Sequence, residues 1–112
     1  MFLFRNLVPS IKPHEAQAKL RGGESLFLLD VREHHEVGRA SVEGAVNIPM
    51  GEVPNQLGRI PKDREVAVLC HHGARSAQVV AYLLRQGFRT VLNVEGGIDL
   101  WSTDVDPTIP RY

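Results

Sequence analysis

The chain holds one cysteine, and the residues around it make it the side chain best placed to do chemistry. Cys70 follows the apolar run Val66-Ala67-Val68-Leu69 and precedes His71-His72-Gly73-Ala74-Arg75-Ser76-Ala77, which leads into a helix-period segment. A short loop entering a helix N-terminus can curl so that successive backbone N–H groups point inward, making a cup for negative charge. Gly73 suits such a curl, which demands unusual backbone angles or close approach. At the mouth of that cup the Cys70 sulfur would be held as thiolate by the inward amides, the helix dipole and Arg75, and the anion is the nucleophile. A helix terminus supplies about 0.3 to 1 kcal/mol to a nearby anion, up to about 2 in partly buried geometry, so loop hydrogen bonds or Arg75 must add to it.

The elements that would position this loop are legible in the hydrophobic pattern. Leu26-Phe27-Leu28-Leu29-Asp30-Val31 is a continuous apolar run, as expected for a strand covered on both faces. Ala45-Val46-Asn47-Ile48, Val66-Ala67-Val68-Leu69 and Val91-Leu92-Asn93-Val94 are similar, and a fifth strand is expected near Leu7 to Ile11. Lys12 to Leu20 reads as a short helix with Pro13 at its first position and Gly22-Gly23 ending it. Ser76 to Gln86 places Ala77, Val80, Ala81 and Leu84 on one helical face, and Gly87 stops it. Strands separated by helices imply crossover connections, hence a three-layer α/β architecture with a mainly parallel central sheet of about five strands and helices on both faces. Ligands in such sheets bind beyond the carboxyl ends of the strands, where Cys70 stands.

Composition narrows the classes further. With 112 residues the chain suits one compact domain, spanning 1–112. Thirteen basic residues balance thirteen acidic ones, which removes the net-charge argument for nucleic acid or an anionic membrane as partner. Arg59, Lys62 and Arg64 read as a solvated loop. The opening residues lack the pattern of a signal peptide and no run reaches membrane-spanning length, so a cytoplasmic protein is expected. One cysteine rules out an internal disulfide framework and cannot build a cysteine-rich zinc site. Adjacent histidines seldom aim both rings at one ion, so His71 and His72 are read as loop polarity and no metal is expected. His34 and His35 lie in a charged stretch that reads as a solvated turn or short helix. Asp30 and Arg32, at a strand end, are expected to support the site rather than to react. Trp101 is expected to anchor the final helix by packing, and could also wall the pocket.

Taken together, the loop resembles the active-site loop of rhodanese-family sulfurtransferases, whose pattern of Cys, two residues, Gly, one residue, Arg, then Ser is matched by Cys70, Gly73, Arg75 and Ser76. Leu29-Asp30-Val31-Arg32-Glu33, Gly44-Ala45-Val46-Asn47-Ile48-Pro49 and Gly96-Gly97-Ile98-Asp99-Leu100-Trp101 resemble further motifs of that family in order and spacing. The segment Val105 to Tyr112 is similar to tails of rhodanese modules fused to adenylyltransferases. Many relatives carry Gly-His-Ile where this chain has Ala40-Ser41-Val42, so Ser41 replaces the usual histidine.

The resemblance implies a five-stranded parallel sheet, no prosthetic group, and sulfane sulfur carried as a persulfide on Cys70. The donor would be thiosulfate or another persulfide, including one on a protein sulfur carrier, and the acceptor cyanide or a thiol. Arg75 would orient an anionic donor, and the backbone of His71, His72, Gly73, Ala74 and Arg75 would hold the transferred sulfur. Two rivals stand beside this reading. Cysteine phosphatases and arsenate reductases use a related Cys-to-Arg loop, usually with five residues between the two, whereas Cys70 and Arg75 enclose four. The same fold also serves as an inactive docking module.

Overall fold

The computed structural model describes residues 8–112. Five strands, β1 (Ser10–Ile11), β2 (Leu26–Asp30), β3 (Val46–Asn47), β4 (Glu65–Leu69) and β5 (Val91–Val94), form one sheet in the order β1-β5-β4-β2-β3. Every neighbouring pair is parallel. Among the described residues the four α-helices are α1 (Pro13–Arg21), α2 (His34–Arg39), α3 (Ala74–Arg85) and α4 (Gly97–Asp104), and a 3₁₀ segment runs over Met50–Arg59. No described helix is long and apolar enough to cross a membrane.

The apolar runs are continuous because both faces of the sheet are covered, and the two-residue period of a strand sorts them into two cores. Val66, Val68 and Cys70 face a core with Leu29, Val31 and Ile48 from the neighbouring strands and their ends, Val53 from the 3₁₀ segment, and Val79, Val80 and Leu83 from α3. Ala67 and Leu69 face a core with Leu28 of β2, Ala16 of α1, and Ile98 and Trp101 of α4. Cys70 therefore continues the inward phase of β4 one residue beyond its end. Pro13 opens α1, where the Lys12 N–H finds the Glu15 carboxylate at 3.0 Å, offsetting the poor cap that Lys12 itself provides.

The differences from expectation lie at boundaries. Helix α3 begins at Ala74, two residues before the expected start, because Gly73 in the left-handed region (φ 109°) ends the loop and caps the helix. Strand β3 is only Val46–Asn47, cut short before Pro49, and the first strand is Ser10–Ile11, with Leu7 outside the described residues. The 3₁₀ segment was not expected at all. Its run contains Pro54 and a non-helical residue, Gln56, which break the 3.6-residue period by which helices are recognised.

Candidate active site

The loop from Cys70 to Gly73 is held from behind. Two N–H groups at the start of α4 bind its carbonyls, Ile98 N–H to Cys70 O at 2.9 Å and Asp99 N–H to His71 O at 3.1 Å. Helix α4 approaches this closely because Gly97 has no side chain: a Cβ there would overlap the carbonyls of both Cys70 and His71. With the carbonyls turned toward α4, the N–H groups of His71, His72, Ala74, Arg75 and Ser76 make no hydrogen bond to any described protein acceptor. Those of Ala74, Arg75 and Ser76 are also the first-turn donors of α3, which have no preceding helical carbonyl.

Cys70 lies at the bottom of this arrangement rather than at its mouth, with only 1% of its surface exposed. The sulfur accepts the Gly73 N–H at 3.1 Å and lies 3.2 Å from the Ser76 hydroxyl. The direction of the second bond follows from its neighbours. The side-chain NH₂ of Asn93 donates to Gly73 O at 3.1 Å, so its Oδ1 faces Ser76 and accepts the Ser76 hydroxyl at 2.5 Å. Ser76 has one hydrogen and has committed it to Asn93, so it turns an oxygen lone pair rather than a hydrogen toward Cys70. The sulfur thus lies buried with the Gly73 N–H donating to it, whereas a place at the mouth of the cup was expected.

Arg75 corrects a second expectation. Its guanidinium points to Glu36, with Nη1 2.8 Å from Oε2 and Nη2 2.9 Å from Oε1, and makes no hydrogen bond to the sulfur. Glu36 also accepts the Glu33 N–H at 3.0 Å and the Tyr112 hydroxyl at 3.1 Å. The hydrogen bonds from Arg75, outweighing partial burial and aided by those from Glu33 and Tyr112, hold the Glu36 carboxyl down to about 2. Glu36 in turn raises Arg75 above the ordinary arginine value. The pair is doubly ionised at any working pH.

The remaining predicted residues fall into place around these. His71 is half-buried, its ring stacked between His72 (centroids 3.9 Å apart) and Tyr112 (4.0 Å). Burial, then the neighbouring His72, lowers its pKa, and its Nε2 is buried without a partner. His72 and Ala74 are exposed. His71, His72 and Asp99 bring three potential donor atoms within 4.8 Å of one another, but both Asp99 oxygens are taken by Arg111, at 2.9 and 3.0 Å.

Asp30 and Arg32 lie beneath the loop as an ion pair with almost no exposed surface, 2.7 Å apart. Arg32 also binds the carbonyls of Glu36 (3.3 Å) and Ala40 (2.7 Å) and the Tyr112 hydroxyl (2.8 Å), so it fastens α2 and Tyr112 to β2. Trp101 does not wall the Cys70 site. It belongs to the core on the opposite face and borders a separate cleft with Gln17, Leu20, Val42 and Ile109. Ser41 is exposed.

Four contributors were missed. Glu36 was hidden in a charged stretch that read as solvated. Tyr112 lies far along the chain from everything it touches. Gly97 appeared only within a motif, without its role. Asn93 did carry a signal, being the one polar residue in an otherwise apolar strand that is buried on both faces.

The chain is similar to known proteins over most of its length. Residues 12–104 match the Rhodanese-like domain family. YtwF of Bacillus subtilis is 39% identical over 100 residues, spanning 89% of this chain and 96% of its own length. A sulfurtransferase of Allochromatium vinosum is 38% identical over 96 residues, spanning 86% and 90%. The crystal structure of a rhodanese-related protein from Thermoplasma volcanium superposes with a TM-score of 0.80 at 31% identity, covering 93% of this chain and 99% of that one. Since the match runs from α1 through to the helix that props the Cys70 loop, the chain belongs to the Rhodanese-like domain family.

Proposed function

We propose that the chain is a sulfurtransferase that carries sulfane sulfur as a persulfide on Cys70. The observation that carries this reading is the set of unengaged N–H groups from His71 to Ser76 above a buried sulfur that already accepts the Gly73 N–H. A negatively charged group removed from water needs charge-assisted hydrogen bonds to persist, and this loop offers several at the place where an outer sulfur would sit.

The reaction divides into two displacements. Cys70 reacts as thiolate, its proton passing to solvent or to the departing group, and attacks the outer sulfur of thiosulfate or of a persulfide. The donor's S–S bond breaks and sulfite or a thiol departs. An acceptor, cyanide or a thiol, then attacks the outer sulfur on Cys70, which leaves as thiolate. The chain has no second cysteine to intercept the persulfide, so the acceptor comes from outside. A phosphatase reading is disfavoured by the commitment of Arg75 to Glu36, which leaves a tetrahedral oxyanion without a free guanidinium. No cofactor enters the scheme, and the partners are small sulfur donors and acceptors or a protein sulfur carrier.

The test is intact-mass measurement after treatment with thiosulfate or a persulfide. One added sulfur, removed by cyanide as thiocyanate, is expected in the native protein and not in Cys70→Ser, whose circular dichroism should be unchanged. Equal sulfur transfer by the two proteins refutes the role of Cys70.

A further inference from the structure

Among the described residues, every cation hydrogen-bonded around the loop is matched by a carboxylate. Arg75 is paired with Glu36, Arg32 with Asp30 and Arg111 with Asp99. His71 is held toward its neutral form by burial and by His72. His72 stands 60% exposed, 4.0 Å from Asp99. Arg39 is exposed and lies over the Tyr112 ring, 5.8 Å from its centroid, where solvent and salt screen its charge. Among the described residues, the N–H cup therefore offers hydrogen bonds and no unpaired buried cation.

Sulfur donors differ in what they ask of such a site. Thiosulfate brings two negative charges and releases sulfite with two. A persulfide with an uncharged body brings at most one and releases a neutral thiol. Desolvating a dianion without a counter-charge is the more costly step.

We infer that Glu36, by neutralising Arg75, is a specificity-determining residue that makes the site select persulfide donors over thiosulfate. This rests on the reading of Cys70 as sulfur carrier. In the selected step the Cys70 thiolate attacks the outer sulfur of R–S–S–H. A new S–S bond forms, the donor's S–S bond breaks, and the proton passes from the transferred sulfur to the departing sulfur, releasing R–SH and leaving Cys70 as persulfide anion. No oxidant or reductant is consumed. Glu36 touches no reacting atom, and it acts through the net charge of the guanidinium it holds.

The experiment measures single-turnover sulfur loading of Cys70 by mass, with thiosulfate and with the persulfide of 2-mercaptoethanol, in the native protein and in Glu36→Gln. Glutamine retains an acceptor for Arg75 but removes the charge. Thiosulfate loading should rise about tenfold in the variant while persulfide loading changes less than about twofold, and the gain should shrink as salt is raised. Comparing each donor with itself across variants cancels the intrinsic reactivities of the two.

The double variant Glu36→Gln/Arg75→Gln restores the native net charge, so its ratio of thiosulfate to persulfide loading should return toward the native one. Should Glu36→Gln fail to fold, Arg75→Gln serves alone: an unpaired Glu36 should depress thiosulfate loading more than persulfide loading. Equal change with both donors, or a salt-independent gain, overturns the inference while leaving the carrier reading intact. Failure of both donors to load native Cys70 overturns the carrier reading, and the inference with it.

Discussion

Gly97→Ala tests how the loop is held. The backbone of Gly97 has φ 62°, where an alanine costs roughly 1 to 2 kcal/mol. The added Cβ would also overlap the carbonyls of Cys70 and His71, which are backbone atoms and cannot rotate aside. Relief requires α4 to withdraw from the loop. That breaks the bonds from Ile98 N–H and Asp99 N–H, each contributing about 0.5 to 1.5 kcal/mol. The expected loss is about 2 to 5 kcal/mol, a large part of the roughly 5 to 15 kcal/mol available to a domain. Gly23→Ala is the internal control, since Gly23 has φ 76° but open space where a Cβ would go, so only the backbone penalty applies. Urea unfolding followed by circular dichroism, with slopes compared alongside midpoints, measures both. In the surviving folded Gly97→Ala protein, Cys70 should also be alkylated faster by iodoacetamide. A Gly97→Ala loss no greater than that of Gly23→Ala refutes the idea that close approach of α4 shapes the loop.

Two further outcomes follow from the buried charges. Asp30→Ala leaves the Arg32 guanidinium buried without its counter-ion and should destabilise by about 3 to 5 kcal/mol, read as a lowered urea midpoint. Glu36 is held down to about 2, below its unfolded value, so its contribution is fully present above the ordinary carboxylate range and is lost as pH falls toward 2. That contribution is at most about 3 kcal/mol, and in Glu36→Gln the acid limb of stability against pH, between about 4.5 and 2, should flatten. An unchanged acid limb refutes the assignment.

The chain's own pattern was enough for the architecture. Unbroken apolar runs such as Leu26 to Leu29 cannot be placed in water on either face, so they demand a parallel sheet with helices on both sides. Spacing from Cys70 to Ser76 likewise announced a loop entering a helix, because Gly73 and the helical period after it are local signals. What a side chain points at is not local. Arg75 read as a ligand for an anion until folding brought Glu36 against it, across a separation of 39 positions. Cys70 read as lying at the mouth of a cup until the pleat of β4 turned it into the core and Asn93, on the adjacent strand, decided which way the Ser76 hydrogen points. Hydrogen-bond direction and charge pairing depend on ångström-scale distances between segments remote in sequence, and those distances exist only once the sheet has assembled.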